Sequence, residues 1–166
     1  FWLLMCGHQG STLSRSSAAS DVYSRQTIAA ADLILAEGSD GQAARFVPAM
    51  AEGRSFGTMC LSEPQAGSSL ADVKARAVEQ DDGSYRIFGT KTWITAGDHE
   101  VGENILHMVL ARLPGSPDGV RGISLFIVPK RVVDEDGNPG DRNDVVLAGL
   151  NHKMGTRGTV NAVLNF

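Results

Sequence analysis

The sequence lacks two features: an apolar run long enough to cross a bilayer, and a patterned set of cysteines. Its longest apolar start, residues 1–6, is far shorter than the ~20 residues that a transmembrane helix needs. It also lacks the basic flank of a signal peptide. Cys6 and Cys60 stand far apart among apolar neighbours, which favours a reducing compartment over a disulfide framework. We therefore expect a cytoplasmic protein without a membrane span.

Positive charge is also scarce, since 15 Lys and Arg face 19 Asp and Glu and the net charge is −4. This balance gives no support to nucleic-acid binding. The four histidines, at 8, 99, 107 and 152, show no metal-ligand spacing with cysteines or carboxylates. The Gly-x4-Gly-Lys-Ser/Thr pattern of a phosphate-binding P-loop is absent as well. Nucleic-acid, metal and P-loop functions are therefore not expected.

The early part of the chain predicts a loop and then a helix. Residues 8–20 are small, polar and rich in serine, which is typical of a loop or a poorly ordered segment. Residues 28–37 are good helix formers with apolar side chains at helical spacing. Gly38 follows directly and predicts the end of this helix.

A second helix is predicted to begin at Ser39. Gln42, three residues later, completes a capping-box pattern. Pro48 is expected to end or restart this helix, because proline has no backbone N–H and clashes with the preceding turn. Residues 22–53 thus predict two or three short helices with tight joins.

The pattern changes to strands after Gly57. Strand-like runs occur at residues 73–79, 85–89, 106–113, 123–128, 145–150 and 160–166. Turn or loop signals separate them at residues 81–83, 89–91, 114–122 and 134–144. Short strands at this spacing predict an antiparallel sandwich or barrel. The predicted fold class is therefore α+β, with short α-helices followed by an antiparallel β-sandwich or barrel domain.

One candidate site is the stretch Met59–Ser69, in which an apolar run breaks into Pro64, Gly67 and serines. Proline and glycine predict a loop whose amides can converge, and Ser62 and Ser68 add hydroxyl donors. Neutral donors of this kind suit a phosphate or the pyrimidine edge of a flavin. An ordinary solvent loop that joins helices to a sheet fits the same composition.

A second candidate lies about thirty residues further on. Trp93 and Thr95 are two apart in a strand-like run, so they project to the same side. An aromatic ring beside a hydroxyl can stack on a planar cofactor and hydrogen-bond its edge. The alternative is a core tryptophan next to a surface threonine. Our hypothesis is that this pair and the first stretch face each other across a flat, anionic cofactor.

Two further features have simpler interpretations. Glu63, a lone glutamate before proline, is more typical of a structural hydrogen-bond acceptor than of a catalytic base. Residues 151–159 contain Lys153, Arg157 and several glycines, so they form a basic hairpin that can meet a phosphate. A plain β-turn is the more ordinary interpretation of that segment.

Taken together, three motifs resemble the acyl-CoA dehydrogenase family: residues 60–68, 83–95 and 153–158. Their order and spacing agree with that family over about residues 28–166. The resemblance implies two domains, with residues 1–57 as a partial N-terminal helical domain and residues 58–166 as the middle β-domain. The C-terminal helical domain is then absent from this chain.

The resemblance also implies FAD as the cofactor and assigns residues to it. Leu61 and Ser62 are expected at the flavin pyrimidine side, and Ser68 at the FAD pyrophosphate and near the substrate, with Gly67 as a further cofactor-binding residue of the loop. Trp93, with Ile94 beside it, is expected to pack on the flavin ring, and Thr95 to bond close to N5. Thr159 matches a position that meets the CoA pyrophosphate. The expected cofactor-binding residues are thus Leu61, Ser62, Gly67, Ser68, Trp93, Ile94 and Thr95, and the expected substrate-binding residues are Ser68 and Thr159.

This sequence departs from the family pattern at two places. Ser69 stands where the family has an aspartate after the motif serine, so no carboxylate role carries over. Ser62 stands where threonine is usual, which keeps the hydroxyl but loosens its rotamer. Residues 103–107 and the loop 114–122 resemble the subgroup that handles larger or unusual acyl-CoAs, such as methylthio-propanoyl-CoA.

The implied reaction is α,β-desaturation of an acyl-CoA, with hydride transfer from the β-carbon to flavin N5. The family's catalytic glutamate lies in its C-terminal domain, so no catalytic residue is expected in this chain, which is expected to be inactive alone. The implied partners are an acyl-CoA substrate, an electron-transfer flavoprotein as acceptor and further copies of the chain in a homo-oligomer. Two alternatives stay open: an oxidase-like or other flavoprotein relative, and a non-catalytic β-sandwich binding module.

Overall fold

The computed structural model describes residues 15–166, with side chains from residue 22 onward. Its first elements are two helices, α1 (Arg15–Glu37) and α2 (Asp40–Ala51). The predicted stop between them is confirmed, because α1 ends directly before Gly38. The amide of Gly38 donates to the carbonyl of Ile34 at 2.9 Å and closes the last turn.

Helix α1 is longer than the sequence predicted. The prediction of a loop at residues 8–20 is wrong for residues 15–20, which are helical, whereas residues 8–14 lie outside the described residues. Serine is only a few tenths of a kcal/mol worse than alanine in a helix, and extending a helix is much easier than nucleating one. A helix formed at residues 28–37 therefore continues through the serine-rich segment.

Helix α2 begins as predicted and passes its proline. Ser39 accepts from the amide of Gln42 at 3.2 Å, and Gln42 Oε1 accepts from the amide of Ser39 at 2.9 Å. The prediction that Pro48 ends or restarts the helix is wrong, since it lies inside α2. The loss of one backbone hydrogen bond there is offset by the burial of Ala49 and Met50 just beyond.

Strands make up most of the remaining structure. In the described part of the chain they are β1 (Ser55–Cys60), β2 (Arg76–Glu79), β3 (Tyr85–Phe88), β4 (Thr90–Thr95), β5 (Asn104–Arg112), β6 (Ile123–Pro129), β7 (Arg131–Val133), β8 (Pro139–Arg142), β9 (Val146–Leu150) and β10 (Asn161–Asn165). The predicted strand runs are present. Two loop predictions need correction: Lys91 lies in β4 and not in a turn, and the segment 134–144 contains β8.

The strands form a mixed sheet, a three-stranded sheet and a small ribbon. In the mixed sheet β5 pairs with β1, β6 and β2, and β2 pairs with β3. The second sheet has the order β4-β10-β9, and β7 pairs with β8. The predicted α+β class is confirmed, but pairing is not wholly antiparallel, because β1 and β2 run parallel to β5. Parallel neighbours need a long crossover, and here the intervening strands supply it.

Strand β5 lies at the centre of a three-layer arrangement. Leu106 and Met108, on one face, pack in a cluster with Ala30, Ile34 and Met50 of the helices. On the other face Val109 packs in a second cluster that reaches the three-stranded sheet. This second cluster contains Cys60, Ile94, Val145, Ala162 and Leu164. The helices therefore cover one face of the mixed sheet, and the second sheet covers the other.

Gly57 allows the closest helix–sheet approach. A Cβ added there would lie 2.5 Å from the Cβ of Ala30 and 3.0 Å from Cε of Met50. The amide of Gly57 also donates a hydrogen bond to Thr27 Oγ1 of α1 at 3.1 Å.

Neither α1 nor α2, the helices within residues 15–166, has the length and hydropathy that would let it cross a membrane.

Candidate functional site

The loop after β1 is an ordered tight turn. The amide of Glu63 donates to the carbonyl of Ala66 at 2.7 Å, and the amide of Ala66 donates back at 3.0 Å. Pro64 and Gln65 form the tip and are exposed, whereas Ala66 is buried. This reciprocal pair of backbone hydrogen bonds fixes the path of the chain from Glu63 to Ala66.

The carboxylate of Glu63 lies inside this turn and is fully occupied. Oε1 accepts from Lys91 Nζ at 2.8 Å and from the amide of Ala75 at 3.0 Å. Oε2 accepts from the amide of Lys74 at 2.8 Å and from Gln65 Nε2 at 2.6 Å. Burial raises the pKa of Glu63, but these donors outweigh burial and lower it. The structure therefore supports a hydrogen-bond acceptor and not a proton-abstracting base.

The loop and β4 are joined directly, although the sequence separates them. The amide of Thr92 donates to the carbonyl of Ser62 at 2.9 Å. Lys91 Nζ, besides pairing with Glu63, donates to the carbonyl of Leu61 at 3.2 Å. The two stretches that were predicted to face one ligand thus lie side by side.

Strand β4 changes its backbone conformation at Trp93. The pairing with β10 shifts register between Ala162 and Leu164, so Thr92 and Trp93 together oppose Val163 as a β-bulge. Trp93 has φ 62°, a left-handed conformation that costs a bulky residue roughly 1–3 kcal/mol. Its side chain is 60% exposed, so the alternative of a core tryptophan is wrong for this structure.

The residues beside Trp93 divide between core and surface. Ile94 is buried in the cluster between the sheets, and its carbonyl accepts from the amide of Gly97 at 3.2 Å, so its side chain does not face a ligand. Thr95 is half-buried, and its hydroxyl accepts a long, 3.4 Å bond from Asn161 Nδ2. The exposed ring of Trp93 and the half-buried Thr95 therefore flank a buried residue.

The neutral donors of the loop are available to a ligand. Ser62 is half-buried and Ser68 is exposed. A Cβ added to Gly67 would meet no atom within 4 Å, so a ligand can come close to the backbone there. Open backbone, two hydroxyls and an exposed indole fit a planar ligand with polar edges and an anionic tail.

Thr159 lies beside the end of β4. Its neighbour Val160 accepts from the amide of Ala96 at 2.8 Å and donates to Tyr23 Oη at 3.2 Å. Thr159 is 3% exposed, and its hydroxyl has no hydrogen-bond partner among the described residues. Its hydrogen-bonding capacity is therefore unused by the protein.

The basic segment before Thr159 is held by its own backbone. Lys153 Nζ donates to the carbonyl of Thr156 at 2.7 Å, and Arg157 Nε donates to the carbonyl of Lys153 at 3.0 Å. Thr156 has φ 49°, and Met154 is 97% exposed. The β-turn interpretation fits this geometry, since both basic side chains donate hydrogen bonds to backbone carbonyls within the turn.

A buried polar cluster on β1 and β5 contains Thr58, Cys60 and His107. His107 is fully buried, and its Nδ1 lies 2.8 Å from Thr58 Oγ1 and 3.8 Å from Cys60 Sγ. Burial lowers the pKa of His107 to about 3 and raises the pKa of Cys60 to about 12. Both groups are therefore neutral at physiological pH, and Cys60 is a free but unreactive thiol.

A broad groove lies elsewhere in the molecule. Its volume is about 1190 Å³, and it runs between the two helices and strands β3 and β6. None of the predicted site residues lines it.

The sequence prediction placed Lys91 in a turn and so missed its position at the junction of the two motifs. No local pattern in the sequence indicates that this lysine is buried.

Comparison with known proteins identifies relatives over most of the chain. A family model described as "Acyl-CoA dehydrogenase, middle domain" matches residues 58–166. The 3-methylmercaptopropionyl-CoA dehydrogenase of Ruegeria pomeroyi is 49% identical over 140 residues, which are 84% of this chain and 24% of that protein. A butyryl-CoA dehydrogenase of Syntrophomonas wolfei is 43% identical over 141 residues, which are 84% of this chain and 23% of that protein.

A solved structure agrees with these relatives. The crystal structure of a glutaryl-CoA dehydrogenase from Mycobacterium smegmatis in complex with FADH2 superposes with a TM-score of 0.60 at 26% identity. The aligned region covers 81% of this chain and 30% of the chain of the glutaryl-CoA dehydrogenase. The chain thus spans about a quarter of the length of the curated relatives it matches.

Proposed function

The chain belongs to the acyl-CoA dehydrogenase family, and from that premise we propose that it forms one wall of an FAD site in an acyl-CoA dehydrogenase. The observation that carries the proposal is the junction of the loop at Ser62 with the bulge at Trp93 through the amide of Thr92. This junction places hydroxyl donors beside an exposed indole. Residues 1–57 would belong to the N-terminal helical domain and residues 58–166 to the middle β-domain.

We propose the following assignments for the cofactor. The backbone of Leu61 and the hydroxyl of Ser62 hold the pyrimidine side, and Gly67 and Ser68 face the pyrophosphate. Trp93 packs on the ring system, which is possible because its side chain is 60% exposed. Ile94 contributes only its backbone, since its side chain is in the core.

FAD, when bound, would supply a hydride acceptor at N5 for the β-carbon of an acyl-CoA thioester. Thr95 would orient that edge by a hydrogen bond, because its present bond to Asn161 is long at 3.4 Å. Trp93 would exclude water from one side of the ring. We assign no proton-abstracting base within residues 15–166, and Glu63 in particular is saturated by four donors.

The substrate assignment rests on Ser68 and Thr159. Ser68 is exposed at the loop, next to the proposed pyrophosphate contact. Thr159 has a buried hydroxyl without a protein partner in the described structure, and a CoA pyrophosphate oxygen is a suitable acceptor for it. The 49% identity to a 3-methylmercaptopropionyl-CoA dehydrogenase favours a substrate of the larger or sulfur-bearing acyl-CoA class.

We also propose a cytoplasmic, homo-oligomeric enzyme that passes electrons to an electron-transfer flavoprotein. An oxidase-like relative is the second candidate. The two are separated by supplying acyl-CoA to the complete, FAD-loaded protein and measuring peroxide against reduction of an electron-transfer flavoprotein. Electron transfer with little peroxide supports the dehydrogenase, and one peroxide per substrate with no transfer overturns it.

A further inference from the structure

A buried ion pair ties together the two halves of the proposed FAD wall. Lys91 is fully buried, and the side chain of Glu63 is 3% exposed. Their charged atoms, Nζ and Oε1, are 2.8 Å apart. Lysine and glutamate are almost never fully buried unless paired, and removing one partner of such a pair leaves an uncompensated charge in the interior. The pair is therefore a fixed point of the structure.

This ion pair joins three segments of the chain. Lys91 belongs to β4 and reaches the carbonyl of Leu61 as well as Glu63. Glu63 in turn accepts from the amides of Lys74 and Ala75, just before β2. The loop after β1, the start of β2 and β4 are thus held at one place by two side chains.

The pair stands next to the strained position in β4. Lys91 is followed by Thr92, whose amide is bonded to Ser62, and then by Trp93 at φ 62°. A tryptophan keeps a left-handed conformation only where the structure around it holds the backbone in place. The buried Lys91 fixes one side of the bulge, and the buried Ile94 fixes the other.

We propose that Lys91 and Glu63 are positioning residues, which hold the indole of Trp93 and the hydroxyl of Thr95 in register with the Ser62–Ser68 loop for FAD. This inference rests on the proposed function. Neither residue touches the cofactor, because both are enclosed by protein. Their role is to set the spacing between ring and donors, and the spacing determines how closely Trp93 contacts the flavin.

The chain supplies a matched control in a second buried lysine. Lys130 is 3% exposed and pairs with Asp98 Oδ1 at 2.6 Å and with Glu100 Oε1 at 2.6 Å. It also donates to the carbonyl of His99 at 2.9 Å. It contacts neither the loop after β1 nor β4. Lys130→Met therefore removes a buried cation of the same kind without loosening the proposed wall.

The experiment compares Lys91→Met and Lys130→Met in the complete protein that contains this chain. Two quantities are measured: the FAD dissociation constant, and the fluorescence of bound flavin, which a nearby indole quenches. We expect Lys91→Met to weaken FAD binding about tenfold, equal to about 1.4 kcal/mol, and to raise bound-flavin fluorescence to the level of a Trp93→Leu variant. We expect Lys130→Met to lower the melting temperature but to leave both flavin quantities within twofold of wild type.

A second variant covers the case in which Lys91→Met does not fold. The double change Lys91→Met with Glu63→Gln buries no unpaired charge, and such neutral replacements are often tolerated. It still lacks the tether from Nζ to Leu61, so the same loss of quenching is expected.

The outcomes separate this inference from the proposed function. If either Lys91 variant binds FAD with wild-type affinity and quenching, the ion pair is only structural and the inference is wrong. If the wild-type protein takes up no FAD at all, the proposed function fails and this inference fails with it.

Discussion

The amide of Thr92 donates a 2.9 Å hydrogen bond to the carbonyl of Ser62. This single bond places the loop after β1 against the bulge of β4, and it does so one residue before the exposed ring of Trp93. Two stretches that share no local sequence signal are thereby parts of one surface.

Trp93→Ala tests the stacking role of the indole. Because the ring is 60% exposed, its removal should change stability little, whereas lost stacking of roughly 0.5–1.5 kcal/mol should raise the FAD dissociation constant about 2- to 12-fold. Leu35→Ala is the control, since Leu35 is also 60% exposed but lies on α1. FAD titration followed by absorbance measures both variants. Equal FAD affinity in the two would contradict the assignment.

Thr95→Val tests the hydroxyl at the flavin edge. One hydrogen bond contributes about 0.5–1.5 kcal/mol, so anaerobic reduction of the flavin by acyl-CoA should slow roughly 2- to 12-fold, as measured by stopped-flow absorbance. Thr90→Val in the same strand removes a shorter bond, 2.8 Å to Asn165 Oδ1, and should leave the reduction rate unchanged. A slower rate in Thr90→Val alone would show that strand integrity, and not the Thr95 hydroxyl, controls the rate.

Thr159→Val separates folding from substrate binding. The Thr159 hydroxyl is buried without a partner in the described structure, so replacing it with a methyl group should stabilise the protein by about 1 kcal/mol. If the hydroxyl meets the CoA pyrophosphate, KM for acyl-CoA should rise while kcat changes little. Thr58→Val is the contrast: its hydroxyl bonds His107 at 2.8 Å, so that variant should lose stability. An unchanged KM in Thr159→Val would remove Thr159 from the substrate site.

His107 should make the protein sensitive to mild acid. Burial lowers the pKa of His107 to about 3 in the folded state, against ~6.5 for an unfolded chain. Below pH 6.5 His107 therefore binds a proton in the unfolded state but not in the folded state, and the free energy of unfolding falls as pH falls. Between pH 6.5 and 5 the loss from this group is about 2 kcal/mol.

The measurement for His107 is urea unfolding at pH 7, 6 and 5. A His107→Gln variant should show a flatter dependence of unfolding free energy on pH than the wild type. A His107→Gln variant with an unchanged slope would mean that the pKa of His107 is the same in the folded and unfolded states, so that burial does not lower it.

The sequence predicted local features well where local chemistry decides them. The capping box at Ser39 and the end of α1 at Gly38 depend on neighbouring residues alone, and both are present. Pro48 and the serines of residues 15–20 were misjudged because packing and helix propagation outweigh intrinsic preference. The parallel pairing of β1 with β5 was missed as well, since hydrophobic patterning does not specify which strands become neighbours.

The candidate site shows the same division. The residue types at Ser62, Ser68, Trp93 and Thr95 led to the hypothesis of one flat, anionic ligand between the two stretches, and this hypothesis stays a prediction, but the sequence did not show how the stretches are joined. The link depends on Lys91, a charged residue whose complete burial no local pattern indicated. The left-handed conformation of Trp93 follows from a bulge, which requires knowledge of the partner strand.

FAD-dependent acyl-CoA oxidation is tested by the visible absorption spectrum of the complete protein during anaerobic titration with an acyl-CoA. The first two substrates to try are 3-methylmercaptopropionyl-CoA and butyryl-CoA. We expect a yellow protein, with one FAD per chain, whose oxidised-flavin absorption bleaches on adding substrate and returns with an electron acceptor. A colourless protein that FAD cannot reconstitute would contradict it.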